Sequence, residues 1–161
     1  MNKKTEIKRL IDLLSKGYEL EDYDSVVATC IEAYENPTDY ATNNELGFLM
    51  YSGKNFILDY VLPCELIEIA VCSDKIDEIH EQIEELLEDI PDFPFPDEER
   101  VDARKYFNWV EKYLGDEVLL LVGDNGSDNL TLFLVNKDDV EEVIFLTKVL
   151  NIKCQKATEI N

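Results

Sequence analysis

Apolar residues recur every three or four positions in the first third of the chain. Ile7, Leu10, Ile11 and Leu14 mark one helical face, with Gly17 as a stop behind it. A second helix starts at Asp22 or Asp24 and places Val26, Val27, Cys30, Ile31 and Tyr34 on one side. Asn36-Pro37 ends it, because the residue before a proline is pushed out of helical geometry. The polar run 38–45 reads as loop, closing a helical part at 1–45. Two short apolar stretches, 46–51 and 55–61, flank Ser52-Gly53-Lys54; they fit a hairpin, and 44–50 fits a short helix equally well.

The pattern then changes period. Residues 65–72 alternate, with Ile67, Ile69 and Val71 on one face of a predicted strand. Ser73 can cap the helix that follows, and Asp74 and Asp77 suit its positive end. Ile76, Ile79, Ile83, Leu86, Leu87 and Ile90 form its buried stripe, while Asp77, Glu78, Glu81, Glu84, Glu85 and Glu88 face outward. Like charges four apart each cost a few tenths of a kcal/mol, so packing must hold this helix. A proline-rich connector at 91–96 lies inside the domain, and Asp97 can cap a helix running to Leu114, with Gly115 ending it. Val101, Phe107, Val110 and Leu114 turn inward there, beside an aromatic stripe of Tyr106, Trp109 and Tyr113.

The last third carries two apolar strands, 117–123 and 130–135, around Asn125-Gly126, the leading signal for a two-residue type I′ turn. That turn sets Leu119 opposite Leu132 and Leu121 opposite Leu130. Asn136 caps a helix with Asp138 and Asp139 in its first turn and Val140, Val143, Ile144 and Leu150 inward; Asn151 stops it before a final strand at 152–156. Both faces of the two apolar strands need cover, from helices, from the N-terminal part or from a second subunit. The expected fold is a single α+β domain over 1–161: a mainly antiparallel sheet of four to six strands with five helices packed on it.

Charge narrows the function classes. The net charge is −21 over 161 residues, and residues 65–102 hold fifteen Asp and Glu against Lys75 and Arg100. The first twenty residues carry a slight basic excess. Nucleic acid and anionic membrane need Lys and Arg to meet phosphate, so neither is an expected partner. The N-terminus lacks the apolar core of a signal peptide, and no apolar run approaches the eighteen residues of a membrane span. A cytoplasmic protein is expected. Its four cysteines read as free thiols, with Cys64 and Cys72 held apart at the two ends of the predicted strand.

The order strand, Gly-Asp-Asn-Gly-Ser-Asp128, strand, then Leu-Val-Asn-Lys-Asp-Asp-Val140 opening a helix resembles a bacterial family numbered 6630 among domains of unknown function. The segment Ile67-Glu-Ile-Ala-Val-Cys-Ser-Asp-Lys-Ile-Asp-Glu-Ile79 resembles that family's strand entering a helix, so the likeness covers the C-terminal two-thirds. It implies the same strand–turn–strand–helix–strand architecture and assigns no chemistry.

Three constellations carry candidate chemistry. The turn residues Asp124, Asn125, Ser127 and Asp128 suit a cation or a small ligand by residue type. An EF-hand alignment on Gly126 fails, because Leu121 and Gly123 fall at ligand positions and Leu132 at the bidentate acid. The lone histidine, His80, sits at the edge of a buried stripe with Glu84 one turn on to hold its ring; a general base needs such a partner and a cleft besides. Glu78, Glu81, Glu85 and Glu88 with Tyr106, Trp109 and Tyr113 combine charge and aromatic area as binding hot spots do. Neither a serine-hydrolase elbow nor a phosphate-cradling glycine loop is present, and no cofactor is expected. The expected function is a non-catalytic protein–protein interaction module for a basic protein, such as an immunity protein. The alternatives are a divalent-metal enzyme or a small-molecule binder at the Asp124–Asp128 turn, and the apolar sheet allows a homodimer.

Overall fold

The computed structural model describes residues 2–50, 56–87, 90, 102–124 and 128–160. Seven α-helices are found among them: α1 (Lys3–Leu14), α2 (Tyr23–Glu35), α3 (Pro37–Asn43), α4 (Leu58–Glu65), α5 (Ile76–Leu86), α6 (Ala103–Glu111) and α7 (Val140–Val149). The strands β1 (Val71–Ser73), β2 (Glu117–Val122), β3 (Leu130–Asn136) and β4 (Cys154–Lys156) form one sheet in the order β1-β3-β2-β4, every pair antiparallel. The α+β class holds, with two helices more than expected.

Strand alternation sorts the sheet's side chains into two cores. Leu120, Val122, Phe133 and Val135 face α1, α2, α4 and α7, burying Leu10, Ile11, Cys30, Leu62 and Val143 with them. Leu119, Leu132 and Leu134 face the other way, onto Ile79 and Ile83 of α5 and Tyr106, Phe107 and Val110 of α6. The chain thus covers both sheet faces with its own helices. The sheet surface that a homodimer would have used is filled.

Of the boundaries read from caps and stops, those at Asn136 and Asn151 hold, while α6 ends at Glu111 and not at Leu114 before Gly115. Asn136 accepts the amide of Asp138, and Asn151 takes a φ of 59° to end α7. Several expectations fail where apolar residues serve another period. Pro37 opens α3 instead of only closing α2, since proline suits a first helical turn, so most of the run 38–45 is helix. The hairpin expected across 46–61 is instead a 3-10 turn at Gly47–Met50 and helix α4; residues 51–55 lie outside the described residues. The strand expected at 65–72 is the end of α4, a 3-10 turn at Ile67–Ile69 and only then β1. Ile67 is exposed, so its place in the alternation was no sign of a buried face. This also removes the premise that separated Cys64 from Cys72; all four cysteines are nonetheless free. Asp102, not Asp97, caps α6, accepting from Lys105 N at 2.8 Å; Asp97 and the connector 91–96 lie outside the described residues.

The hairpin register differs from a two-residue turn by two positions: Leu119 pairs with Leu134 and Leu121 with Leu132. A slip of two keeps every side chain on its face. The cause lies in α4. Pro63 has no N–H, so the carbonyl of Asp59, four residues earlier, lacks its helical partner. That carbonyl accepts Asp124 N at 2.9 Å, while Gly123 N donates to Lys153 O at 2.8 Å. Gly123 takes a φ of 89°, and a Cβ there would lie 2.3 Å from Asp59 O and 2.4 Å from Pro63 Cγ. The chain therefore leaves β2 at Gly123, two residues before Asn125-Gly126, to dock on α4.

Candidate functional site

The two helices on the second sheet face, α5 and α6, carry most of the residues singled out from the sequence. Helix α5 is oriented by both ends of a short strand. Ser73 Oγ accepts Lys75 N at 3.0 Å and donates to Glu78 Oε2 at 2.6 Å, bracing the turn into α5, although the N-cap itself is Lys75 and not Ser73 as the sequence suggested. Gln82, one turn beyond Glu78, presents its amide to the open edge of β1: Cys72 N donates to Oε1 at 2.8 Å, and Nε2 donates to Cys72 O at 3.1 Å. One side chain thus occupies both backbone groups that an added strand would use.

His80 joins α5 to α6. Its Nδ1 lies 2.8 Å from the Tyr106 hydroxyl and its Nε2 2.8 Å from Glu84 Oε1, so Glu84 does hold the ring. The imidazole packs edge-on against Tyr106 and at a tilt against Trp109, with centroids 5.7 and 5.9 Å apart. His80 is 2% exposed and Tyr106 0%. Burial, followed by the Glu84 charge, pushes the Tyr106 phenol up, so it stays a neutral hydroxyl. From this buried position the histidine ties α5 to α6.

Tyr106 therefore leaves the expected interaction face. Trp109 is half-buried and Tyr113 exposed, their rings 5.1 Å apart, and these two remain. On α5, Asp77, Glu78, Glu81, Glu84 and Glu85 are exposed, as the charge periodicity requires. Glu78 pairs with Lys75 at 3.4 Å, and its carboxyl lies below the ordinary range chiefly through the Ser73 hydrogen bond. Asp77, Glu81 and Glu85 have no ion pair among the described residues. Glu88 lies outside the described residues.

Part of the acid elsewhere is answered internally. Arg9 grips Glu142 through two hydrogen bonds of 2.8 and 2.9 Å, and Lys16 reaches Asp139 at 3.0 Å. Arg9 thus joins α1 to α7, and its hydrogen bond holds the Glu142 carboxyl low. Sequence reasoning stopped its acidic tally at Asp102 and missed a reversal one helix later. Arg104 and Lys105 stand exposed on α6 and Lys112 at its C-cap, so the helix packed beside α5 carries cations on its surface. The spacing of seven residues between Lys105 and Lys112 was the available signal.

The turn residues behave differently. Asp124 is bound to Lys153 at 2.7 Å, a contact that raises the Lys153 pKa, and Asp128 is exposed. Residues 125–127, including Asn125 and Ser127, lie outside the described residues. Among the described residues no group of three or more His, Cys, Asp or Glu is placed to hold a metal ion. Burial pushes the Cys30 thiol up to about 12 and also raises Cys64 and Cys154, which disfavours the reactive thiolate at those three positions. No described helix is long and apolar enough to cross a membrane.

Comparison with known proteins adds a family and no activity. The sequence model of a family described as Domain of unknown function (DUF6630) matches residues 6–157, so the likeness reaches the N-terminal helices as well as the C-terminal two-thirds. No curated protein and no solved structure matches the chain.

Proposed function

The chain belongs to the DUF6630 family, whose description assigns no chemistry, and from the surface geometry we propose a non-catalytic interaction module that engages a basic protein. The observation that supports this reading is the outer face of α5. Asp77, Glu81 and Glu85 stand exposed and without ion pairs among the described residues, whereas Glu142 and Asp139 are each held by a cation of the N-terminal part. Charges left in solvent act at range, raising the encounter rate with a cationic partner. Trp109, on the helix clamped to α5 by His80, and the exposed Tyr113 just beyond that helix supply aromatic area. The cations of α6 would set the orientation of a partner whose own surface is mainly basic with an acidic border. An immunity-type neutraliser of a basic toxin, acting in the bacterial cytoplasm, is the concrete form of this reading.

The test is the salt dependence of association. The whole protein, immobilised, is exposed to extract from its native host and washed at rising ionic strength. Retained proteins with a basic bias that elute as salt shortens the Debye length from about 10 Å towards 3 Å agree with the proposal. Retention without that bias and without salt sensitivity overturns it.

A further inference from the structure

Away from α5 and α6, a cavity of about 550 Å³ opens where β2 ends, β3 begins and β4 runs along the sheet edge. Its size is that of a small-molecule site. Half-buried Leu121, Leu130 and Ile160 supply its apolar surface, and Thr131 adds a hydroxyl. Asp124 and Lys153 also line it, their charged groups 2.7 Å apart. The fold fixes this arrangement from two directions: Asp124 N is tied to Asp59 O, and Gly123 N to Lys153 O.

The chemistry of the lining selects a charge type. The chain's net charge of −21 repels a simple anion, and a simple cation finds exposed acid over much of the surface. Among its described lining residues this cavity instead presents one anion and one cation side by side. A ligand with a single charge can meet only one of them. A ligand carrying both charges a few ångströms apart can meet both, its ammonium on Asp124 and its carboxylate on Lys153. Parting the existing pair costs little, because Lys153 is largely exposed and exposed ion pairs are worth about 0–1 kcal/mol. The apolar wall then receives a hydrocarbon group.

We propose that the cavity between β2, β3 and β4 binds a zwitterionic α-amino acid with an apolar side chain, held between Asp124 and Lys153. The site is independent of the α5 surface, and either reading can fail alone. The probe is L-leucine, titrated into the whole protein by calorimetry and followed by amide chemical shifts. Two analogues each remove one charge: 4-methylpentanoate lacks the ammonium, and 3-methylbutylamine lacks the carboxylate. The expected result is saturable binding of L-leucine with shifts at Thr131, Lys153 and Gln155. Each analogue should bind about tenfold more weakly or worse, the loss expected for one charge-assisted hydrogen bond. Asp124→Asn and Lys153→Met should each weaken L-leucine similarly while leaving the rest of the amide spectrum in place. Absence of saturation at about 10 mM, a range in which even millimolar affinity is visible, overturns the proposal. So do equal affinities for L-leucine and its analogues, or shifts confined to other surfaces.

Discussion

Replacing Gly123 by alanine tests the joint between the sheet and α4. Two terms add there. The first is the left-handed backbone: Gly123 has a φ of 89°, which costs an L-residue about 1–2 kcal/mol. Gly17, at a φ of 88° with nothing within 4 Å of a built Cβ, carries that term alone. The reduced freedom of the unfolded alanine chain returns about 0.4–1 kcal/mol in both variants. The second term belongs to Gly123 only. A Cβ 2.3 Å from Asp59 O and 2.4 Å from Pro63 Cγ meets a backbone oxygen and a ring, neither of which can swing aside. Relief requires α4 to move, breaking the Asp124 N–H to Asp59 carbonyl bond and loosening Leu58 and Leu62 in the core. A lost hydrogen bond and partial loss of such packing together cost about 2–4 kcal/mol. Gly17→Ala should therefore lose about 1 kcal/mol and Gly123→Ala about 3–5 kcal/mol. Urea unfolding gives both directly, and thermal midpoints should fall by about 2–4 °C for each kcal/mol at this chain size. If Gly123→Ala is no worse than Gly17→Ala, the close approach to α4 is not real and the explanation of the register fails with it.

Other outcomes follow from the same geometry. Gln82→Leu removes both hydrogen bonds to Cys72, and should lower stability by about 1–3 kcal/mol and produce concentration-dependent association through the opened β1 edge, read by sedimentation velocity. His80→Phe breaks the contact to the buried Tyr106 hydroxyl and should cost about 1–3 kcal/mol, and in that background Tyr106→Phe should cost less than it does alone, the signature of coupled residues in a double-mutant cycle. Acid titration should be biphasic. Burial raises the carboxyls of Glu65 and Glu117, so the folded state binds their protons first, and stability should climb as pH falls through those raised values. The lowered carboxyls of Glu142 and Glu78 act oppositely: their contribution is complete above the unfolded value near about 4.3 and is lost as pH falls through the lower folded values. Midpoints of urea unfolding across pH 7 to 3 check both arms, and a monotonic fall from neutrality would contradict the first.

What the sequence disclosed and what it concealed divide along a physical line. Signals completed within a few residues were legible: the α1 stripe, the Asn136 cap, the Asn151 stop, and the amphipathic α5 with its charged exterior. The two faces of β2 and β3 were also legible, because a period of two survives a register slip of two. What stayed hidden depended on partners distant in sequence. The register was set by Gly123 meeting a carbonyl that Pro63 had left open, 60 residues away in the chain. The apolar residues at 65–72 alternate whether they build a strand or a 3-10 turn, and only packing decides. The histidine's partner Glu84 was one turn away and was found; Tyr106, on another helix, was counted as surface. The cationic face of α6 was readable from spacing but fell outside the acidic window. The cavity by Lys153 unites three segments and left no local trace.

The central claim is that α5 is a contact surface and not merely a solvated helix face. The most direct measurement compares two variants of equal charge in the same capture experiment. One carries Asp77→Asn, Glu81→Gln and Glu85→Gln on α5; the other carries Glu19→Gln, Glu21→Gln and Glu45→Gln, which are also exposed but lie elsewhere. The account predicts that the first variant loses the basic proteins held by the unaltered chain and the second retains them. Equal retention by both, or equal loss from both, would show that net charge, and not this face, governs what the protein meets.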